Sequence, residues 1–498
     1  MDRKGPDGMV MNDITVTDKA KQRWIVACAA FATFMGTLDE FIVGISLPKI
    51  TEYFHVGTSQ SVWIVIIYFL IVTSTLILFG KLADRMGLKK LFIIGYWIFI
   101  AGSLFCGISW NIEVLIAARF IQGIGGAILR VVAYAIVPKF LPSEIRGWGF
   151  GILSTASASG IMIGAPAGGF IISYFSWHWI FLVNIPIGIA AVFVVCRVLP
   201  VESTGGLKKK FDIPGAVLSL AGISLFTYAL NMGHELGWTS AVILVAGGLS
   251  VVLMIAFVVW EGRVSDPLMD MSLFRNRKFV YGNISMFMTC MYMSGDSFLL
   301  PFYLQLSKGL TPYLAGLVLL GYSIVYVPTS QIAGRLSDKI SPPVLCGFAM
   351  LSGTGACLLF IMTLDQSSIF PLFIYIAWAA VSCAMFISPC NNNVMANAPQ
   401  DKQGSASGIL STANQLSGVV GVCLFEAIFS AFSESTGKTT LEHVQTSPQQ
   451  MLVGFRNAYI LALSICFLSM FFSFIARDRK STKPESISQQ DASLGHLH

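Results

Sequence analysis

Residues 111–138 read NIEVLIAARFIQGIGGAILRVVAYAIVP, an apolar run that carries two arginines, Arg119 and Arg130. A helix crossing about 30 Å of hydrocarbon needs about 20 residues, and this run exceeds that. An arginine at the centre of such a helix costs roughly 2.5–3.5 kcal/mol on insertion scales, so it is kept for a reason. At about 100° per residue, the separation of the two arginines is three turns plus about 20°, which puts them on one face about 16 Å apart. That face is expected to line a water-filled path through the protein; the plainer reading is that each arginine is a structural ion-pair partner.

The rest of the chain has the same character. Of 498 residues, 55% are hydrophobic and 12% charged, whereas a soluble domain carries about 25% charged residues. Apolar runs give fourteen expected spans, at 24–47, 62–80, 91–109, 112–138, 148–172, 178–198, 212–231, 239–260, 279–304, 312–332, 343–364, 369–392, 404–430 and 455–476. The 32 lysines and arginines test that count. Arg119 and Arg130 lie inside the fourth span, and Lys49, Lys308, Lys438 and Arg456 fall on one side. All the others fall on the side that holds both tails, which marks that side as cytoplasmic. The net charge of +6 follows this sidedness and gives no reason to expect a nucleic-acid partner. Trp24, Trp63, Trp110, Trp148, Trp177, Trp179, Trp238 and Trp260 stand near span ends, where an indole rests among headgroups. The ten cysteines lie within or beside apolar runs with no CxxC pair, so free thiols are expected, with neither a disulfide framework nor a metal site.

The sequence repeats itself. GKLAD at Gly80–Asp84 recurs as GRLSD at Gly334–Asp338, an offset of 254, and GILST at Gly151–Thr155 recurs at Gly408–Thr412, an offset of 257. Asp39 and Asp296 are also 257 apart. The offset is too long for six spans by about two, so two spans are inserted between related halves. The expected organisation is a tail (1–23), a six-helix bundle (24–198), a linker (199–211), two inserted helices (212–260), a second linker (261–278), a second six-helix bundle (279–476) and a second tail (477–498). Parallel repeats with a site near the midplane between them are the plan of many transporters.

With those motifs in hand, GKLADRMGLKK (Gly80–Lys90) resembles the signature loop of the major facilitator superfamily, and LIAARFIQGIGGA (Leu115–Ala127) resembles its fourth-span motif. LDEFIVGISLP (Leu38–Pro48) and WHWIFLVNIPIG (Trp177–Gly188) resemble first- and sixth-span motifs of its fourteen-span drug:proton antiporter family. The resemblance covers nearly the whole chain. It implies a monomeric, multi-pass cell-membrane protein, both termini cytoplasmic, that exports amphipathic drugs or small metabolites by proton-coupled alternating access and needs no cofactor. There are three departures. The proline of Gly164-Ala165-Pro166-Ala167-Gly168-Gly169 stands one place late, Glu40-Phe41 follows Asp39 where a threonine is usual at the second position, and Arg130 replaces an apolar residue. The first bears on antiport, the other two on an unusual ligand. An anionic metabolite, siderophore or lipid-like substrate recognised through Arg130 is the alternative.

Residue chemistry assigns the roles. Gly80 and Gly87 permit a tight turn, Asp84 suits a helix amino terminus, and with Arg85 and the repeat partner Asp338 they read as a latch closed by ion pairs. Gly160, Gly164 and Gly168, with Gly169 and Pro166 beside them, are expected where the two halves rock against each other. Asp39, Glu40, Asp296 and Arg119 are the expected proton-coupling set, Asp39 first. Adjacent helical residues diverge by about 100°, so Asp39 and Glu40 cannot face the same partner. Arg130 is expected to have no acid at its depth, and to contact substrate along with Gln122, Asn391 and Asn392. Asn391-Asn392-Asn393 is otherwise expected to end its helix, and Glu426 to be a solvated rim residue. Hydrolase, metalloenzyme and nucleotide chemistry are not expected. His234-Glu235 lacks the second histidine of a zinc-protease helix, and Gly437-Lys438-Thr439 lacks the upstream glycine of a phosphate loop.

Overall fold

The computed structural model describes residues 16–56, 58–61, 63–201, 212–264, 267–310, 312–366, 368–432 and 448–476. Among these residues there is no strand. In lipid every backbone amide must find its partner within its own segment, and an apolar chain of this length does that as helices.

Fourteen long helices result: α1 (Lys19–Phe54), α2 (Trp63–Met86), α3 (Leu88–Gly107), α4 (Ile112–Phe140), α5 (Arg146–Tyr174), α6 (Asn184–Val198), α7 (Ile213–Leu236), α8 (Ala241–Glu261), α9 (Arg277–Phe302), α10 (Pro312–Ser337), α11 (Pro342–Thr363), α12 (Phe370–Ala396), α13 (Gln403–Phe432) and α14 (Pro448–Ile475). Thirteen are long and apolar enough to cross a membrane by themselves. The exception is α9, whose buried face carries Ser285, Thr289 and Asp296; it runs packed along α13 and α14. Local chemistry sets the ends. Asn111 caps α4 by accepting from the Val114 amide at 2.7 Å, and Asp212 caps α7 through the Gly215 amide at 3.0 Å. Gly87, at φ +85°, lets the chain reverse between α2 and α3 with a single residue.

Helices α1–α6 and α9–α14 form two bundles of the same plan. The pairings of α1 with α5, α3 with α4, α2 with α4 and α3 with α6 recur as α9 with α13, α11 with α12, α10 with α12 and α11 with α14. The bundles meet along two equivalent seams, α2 against α13 and α10 against α5. The inserted α7 and α8 pack on each other, and α7 lies on α2 and α13, so the insert covers one seam. On the other seam a cleft of about 520 Å³ is lined by Met162, Ile163, Pro166, Ala167 and Phe170 of α5 and by Leu320 and Ile324 of α10.

The glycine stripe of α5 is not between the halves. A Cβ at Gly160 would lie 2.8 Å from the Phe34 carbonyl oxygen, and one at Gly164 would lie 3.2 Å from that of Leu38. One at Gly168 would lie 3.1 Å from the Ile42 oxygen. All three belong to α1, so the stripe seats α5 on α1 within one half, and no Cβ neighbour lies near Gly169. Close approach between the halves falls to other glycines. A Cβ at Gly334 would sit 2.4 Å from the Gly147 oxygen, and one at Gly80 would sit 2.6 Å from the Gly404 oxygen. Only bare backbone fits there, at the end of the bundle where α1 begins and α14 ends, called here the tail end.

Candidate functional site

Four constellations stand out, and α4 contributes to three of them. The first surrounds Asp39, which is fully buried beside Arg119 at 1% exposure. Arg119 Nη1 donates to Asp39 Oδ2 at 2.7 Å and to Gln122 Oε1 at 2.7 Å, and its Nε donates to the Ile64 carbonyl at 3.2 Å. Gln122 Nε2 donates to Asp39 Oδ1 at 2.9 Å and to Ser103 Oγ at 2.9 Å, while Asn184 Nδ2 reaches the same Asp39 oxygen at 3.0 Å. The guanidinium lies 4.1 Å from the Tyr68 ring centroid. Helices α1, α2, α3, α4 and α6 are thus tied at one point inside a single half. Such a pair is closely compensated: removing either charge strands the other in a dry interior.

The second constellation is its repeat counterpart. Asp296 Oδ1 accepts from Tyr375 Oη at 2.5 Å and from Tyr459 Oη at 2.6 Å, and the Tyr292 and Tyr375 hydroxyls are 3.3 Å apart. The repeat offset of 254–257 carries Arg119 onto 373–376, where Tyr375 stands, and α14 supplies Tyr459 as α6 supplies Asn184. The plan is the same with the cation left out. Among the described residues no lysine or arginine pairs with Asp296. A phenol both donates and accepts, so this site satisfies a carboxylate or a carboxylic acid without leaving an orphan.

The third constellation joins the halves. Arg130 Nη2 donates to Glu40 Oε1 at 2.5 Å, and Nη1 donates to Gln415 Oε1 of α13 at 2.5 Å. Arg130 is 20% exposed and Glu40 9%. Arg130 therefore has an acid within reach, contrary to the sequence expectation. A helical side chain leans toward its own amino terminus. Successive spans alternate in direction, so α1 and α4 run opposite ways; Glu40 leans down as Arg130 leans up, and they meet between the levels of their backbones. The divergence of Asp39 and Glu40 sends one to Arg119 and the other to Arg130.

The fourth constellation closes the tail end. Asp84, at the end of α2, accepts from the Gly404 amide at 2.6 Å, the Ser405 amide at 2.7 Å and Ser405 Oγ at 2.6 Å. Asp338, just past α10, accepts from the amides of Gly147 at 2.7 Å and Trp148 at 3.0 Å. Each aspartate caps the first turn of a helix in the opposite half, α13 for Asp84 and α5 for Asp338. These donors are helix amino termini, where free amides and the dipole favour an anion, and Lys81 adds an electrostatic pull on Asp84. Burial pushes the Asp338 carboxyl up to about 6, against the pull of the two amides. Lys139 Nζ adds a bond to the Gln400 carbonyl at 3.1 Å.

Other expected site residues lie elsewhere. Gln122 belongs to the sealed Asp39 network and does not reach Arg130. Asn391 and Asn392 do not end their helix; they are buried inside α12, and Asn392 Nδ2 donates to Ser337 Oγ at 3.2 Å, next to the Asp338 latch. Among the described residues, Asn391 Oδ1 and Nδ2 are buried with no hydrogen-bond partner. Glu426 is buried rather than on a wet rim. Sequence reading missed Asn184, Gln415, Tyr375 and Tyr459. Asn184 was legible as an amide within WHWIFLVNIPIG, and Tyr375 as the repeat equivalent of Arg119; Gln415 and Tyr459 carried no comparable signal.

Two pseudo-symmetric bundles, a charged centre shared between them and exchanged caps at one end define a multi-pass membrane transport protein, not an enzyme. The chain belongs to the Major Facilitator Superfamily, whose family model matches residues 29–422 and 282–496. It is 32% identical to the riboflavin transporter RibZ of Clostridioides difficile over 468 residues, 93% of this chain and 99% of that one. It is 30% identical to the probable multidrug resistance protein EmrY of Escherichia coli, over 80% of this chain and 79% of that one. The multidrug transporter protein MdtP of Bacillus subtilis is 31% identical over 70% of this chain and 65% of its own. The human organic anion transporter MFSD10 shares the fold, with a TM-score of 0.64 at 14% identity, covering 91% of this chain and 99% of that one.

Proposed function

We propose that this chain is a proton-coupled secondary transporter that exports small amphipathic molecules across the cell membrane by alternating access, with the tail end cytoplasmic. The observation that carries the proton coupling is Asp296, a buried carboxyl held by two phenols and, among the described residues, no cation. The Asp39–Arg119 pair serves better as the fixed keel of the first half, which reverses the order expected from sequence. The latches at Asp84 and Asp338 are broken and remade as the tail end opens. The multidrug names of EmrY and MdtP support the drug-like class of cargo.

A second reading is favoured by Arg130, which is partly exposed where the halves meet: the cargo presents acceptor oxygens to it. Riboflavin, named for RibZ, is one such compound; an anionic metabolite, siderophore or lipid-like molecule is another. Purified protein in liposomes separates the readings. Uptake of ethidium, riboflavin and 2-naphthoate is followed with and without an imposed pH gradient. Gradient-driven movement of ethidium supports the drug exporter, and movement of either of the others with ethidium excluded supports the second reading. Movement that ignores the gradient for every probe sinks proton coupling.

A further inference from the structure

Of the two buried arginine–carboxylate pairs on α4, only one touches the space between the halves. Arg119 and Asp39 are sealed, whereas Arg130 and Glu40 are 20% and 9% exposed. Arg130 gives one nitrogen to Glu40 of α1 and the other to Gln415 of α13, so its planar fork is shared between two single bonds, one to each half. A guanidinium fork matches both oxygens of one carboxylate.

We infer that Glu40 is an internal occupant of an anion seat on Arg130: a substrate carboxylate takes its place, and the displaced Glu40 is neutralised by one proton, so that anion and proton are bound together. This rests on the transport reading only in placing the seat on the substrate path. The balance is simple. An ionised substrate and one proton enter, Glu40 becomes the neutral acid, and Arg130 exchanges one anionic partner for another.

The surroundings allow little else. Glu40 is faced by Arg130 and Arg119 from α4, by Asp39 on its own helix and by Tyr68 from α2. Helix α5, packed along α1, has no ionisable residue between Gly147 and Phe170, and α6 has none from Asn184 to Val195. On α13 the next ionisable groups after Gln415 are Cys423 and Glu426, more than two turns on. Asp39 and Arg119 already cancel. Two ionised carboxylates on Arg130 would leave a net negative charge in a poorly solvated space, and a carboxyl there takes its neutral form instead. Tyr134, one turn along α4 from Arg130 and within its field, stacks its ring on Phe150 at 6.3 Å between centroids.

The test is calorimetric titration of the full-length protein in lipid nanodiscs with 2-naphthoate, in buffers of different ionisation heat, which counts protons directly. The neutral 2-naphthamide is run beside it. Wild type is expected to take up about one proton per 2-naphthoate, with affinity falling about tenfold per pH unit once Glu40 must be protonated from solution. No proton accompanies 2-naphthamide. Glu40→Gln is expected to bind 2-naphthoate without proton uptake and with no dependence on pH. The charge-balanced double variant Glu40→Gln/Arg130→Gln, which strands no ion, loses 2-naphthoate binding at least about tenfold. Failure of wild type to bind 2-naphthoate, binding without proton uptake, or uptake that persists in Glu40→Gln each overturns the proposal. None of these readings needs a pH gradient, so they stand even if proton-driven transport itself is disproved.

Discussion

Asp39→Asn would remove one charge from a pair that has no access to water, leaving Arg119 without a counter-charge among Gln122 and the Ile64 carbonyl. Breaking such a pair costs about 3–5 kcal/mol, so this variant is expected to fall sharply in thermal midpoint and in yield of folded protein. Asp296→Asn should do neither, since an amide oxygen still accepts from Tyr375 and Tyr459. It should instead abolish accumulation driven by a pH gradient while sparing exchange of labelled for unlabelled cargo. If Asp296→Asn accumulates cargo normally, or Asp39→Asn is as stable as the parent, the division of labour between the two acids is wrong. Both arginines were legible from sequence because an ionised side chain in an apolar run has no cheap resting place. The tyrosines around Asp296 were not, since a phenol in such a run is ordinary core until its hydroxyl is seen to have a partner.

At the level of the helices, glycines that look alike in sequence divide into two kinds. Gly160→Ala would push a methyl into the α1 backbone inside one half, and Gly334→Ala would push one into Gly147 and Gly151 across the seam. Each costs about 1–3 kcal/mol of overpacking, but the first is expected to lower thermal stability and the second to hold the tail end apart. Distances between spin labels at the exposed Ser143 and Lys339 would lengthen only for Gly334→Ala. Asp338 gives this joint a pH dependence. Its carboxyl titrates at about 6 in the closed arrangement and, once released to water, near the ordinary value of about 3.9. The closed form therefore holds the proton more tightly. The added preference for closure is fully present below the lower value and fades as pH rises through the upper one. The same labels should show closure favoured by acid, and Asp338→Asn should weaken that response, the equivalent latch at Asp84 remaining. The repeat made these helices legible as pairs. It could not say which faces touch, because small residues at four-residue spacing suit any close contact, within a half or between halves.

For the molecule as a whole, the number of long helices and the doubled plan could be read from hydropathy, charge sidedness and the repeat. Which seam the insert would cover could not, because α7 and α8 have nothing in the repeat to align with. The packing gives the answer: α7 rests on α2 and α13, and the equivalent seam keeps its apolar cleft. If that cleft admits cargo, Ala167→Trp, whose ring would intrude on it, should slow transport of a strongly lipid-soluble dye several-fold more than that of a water-soluble one. Equal slowing of both would show that the cleft is not used. A doubled interior has thus been given an unequal outline. A compound dissolved among the lipid tails meets the inserted pair of helices on one flank and an apolar notch on the other.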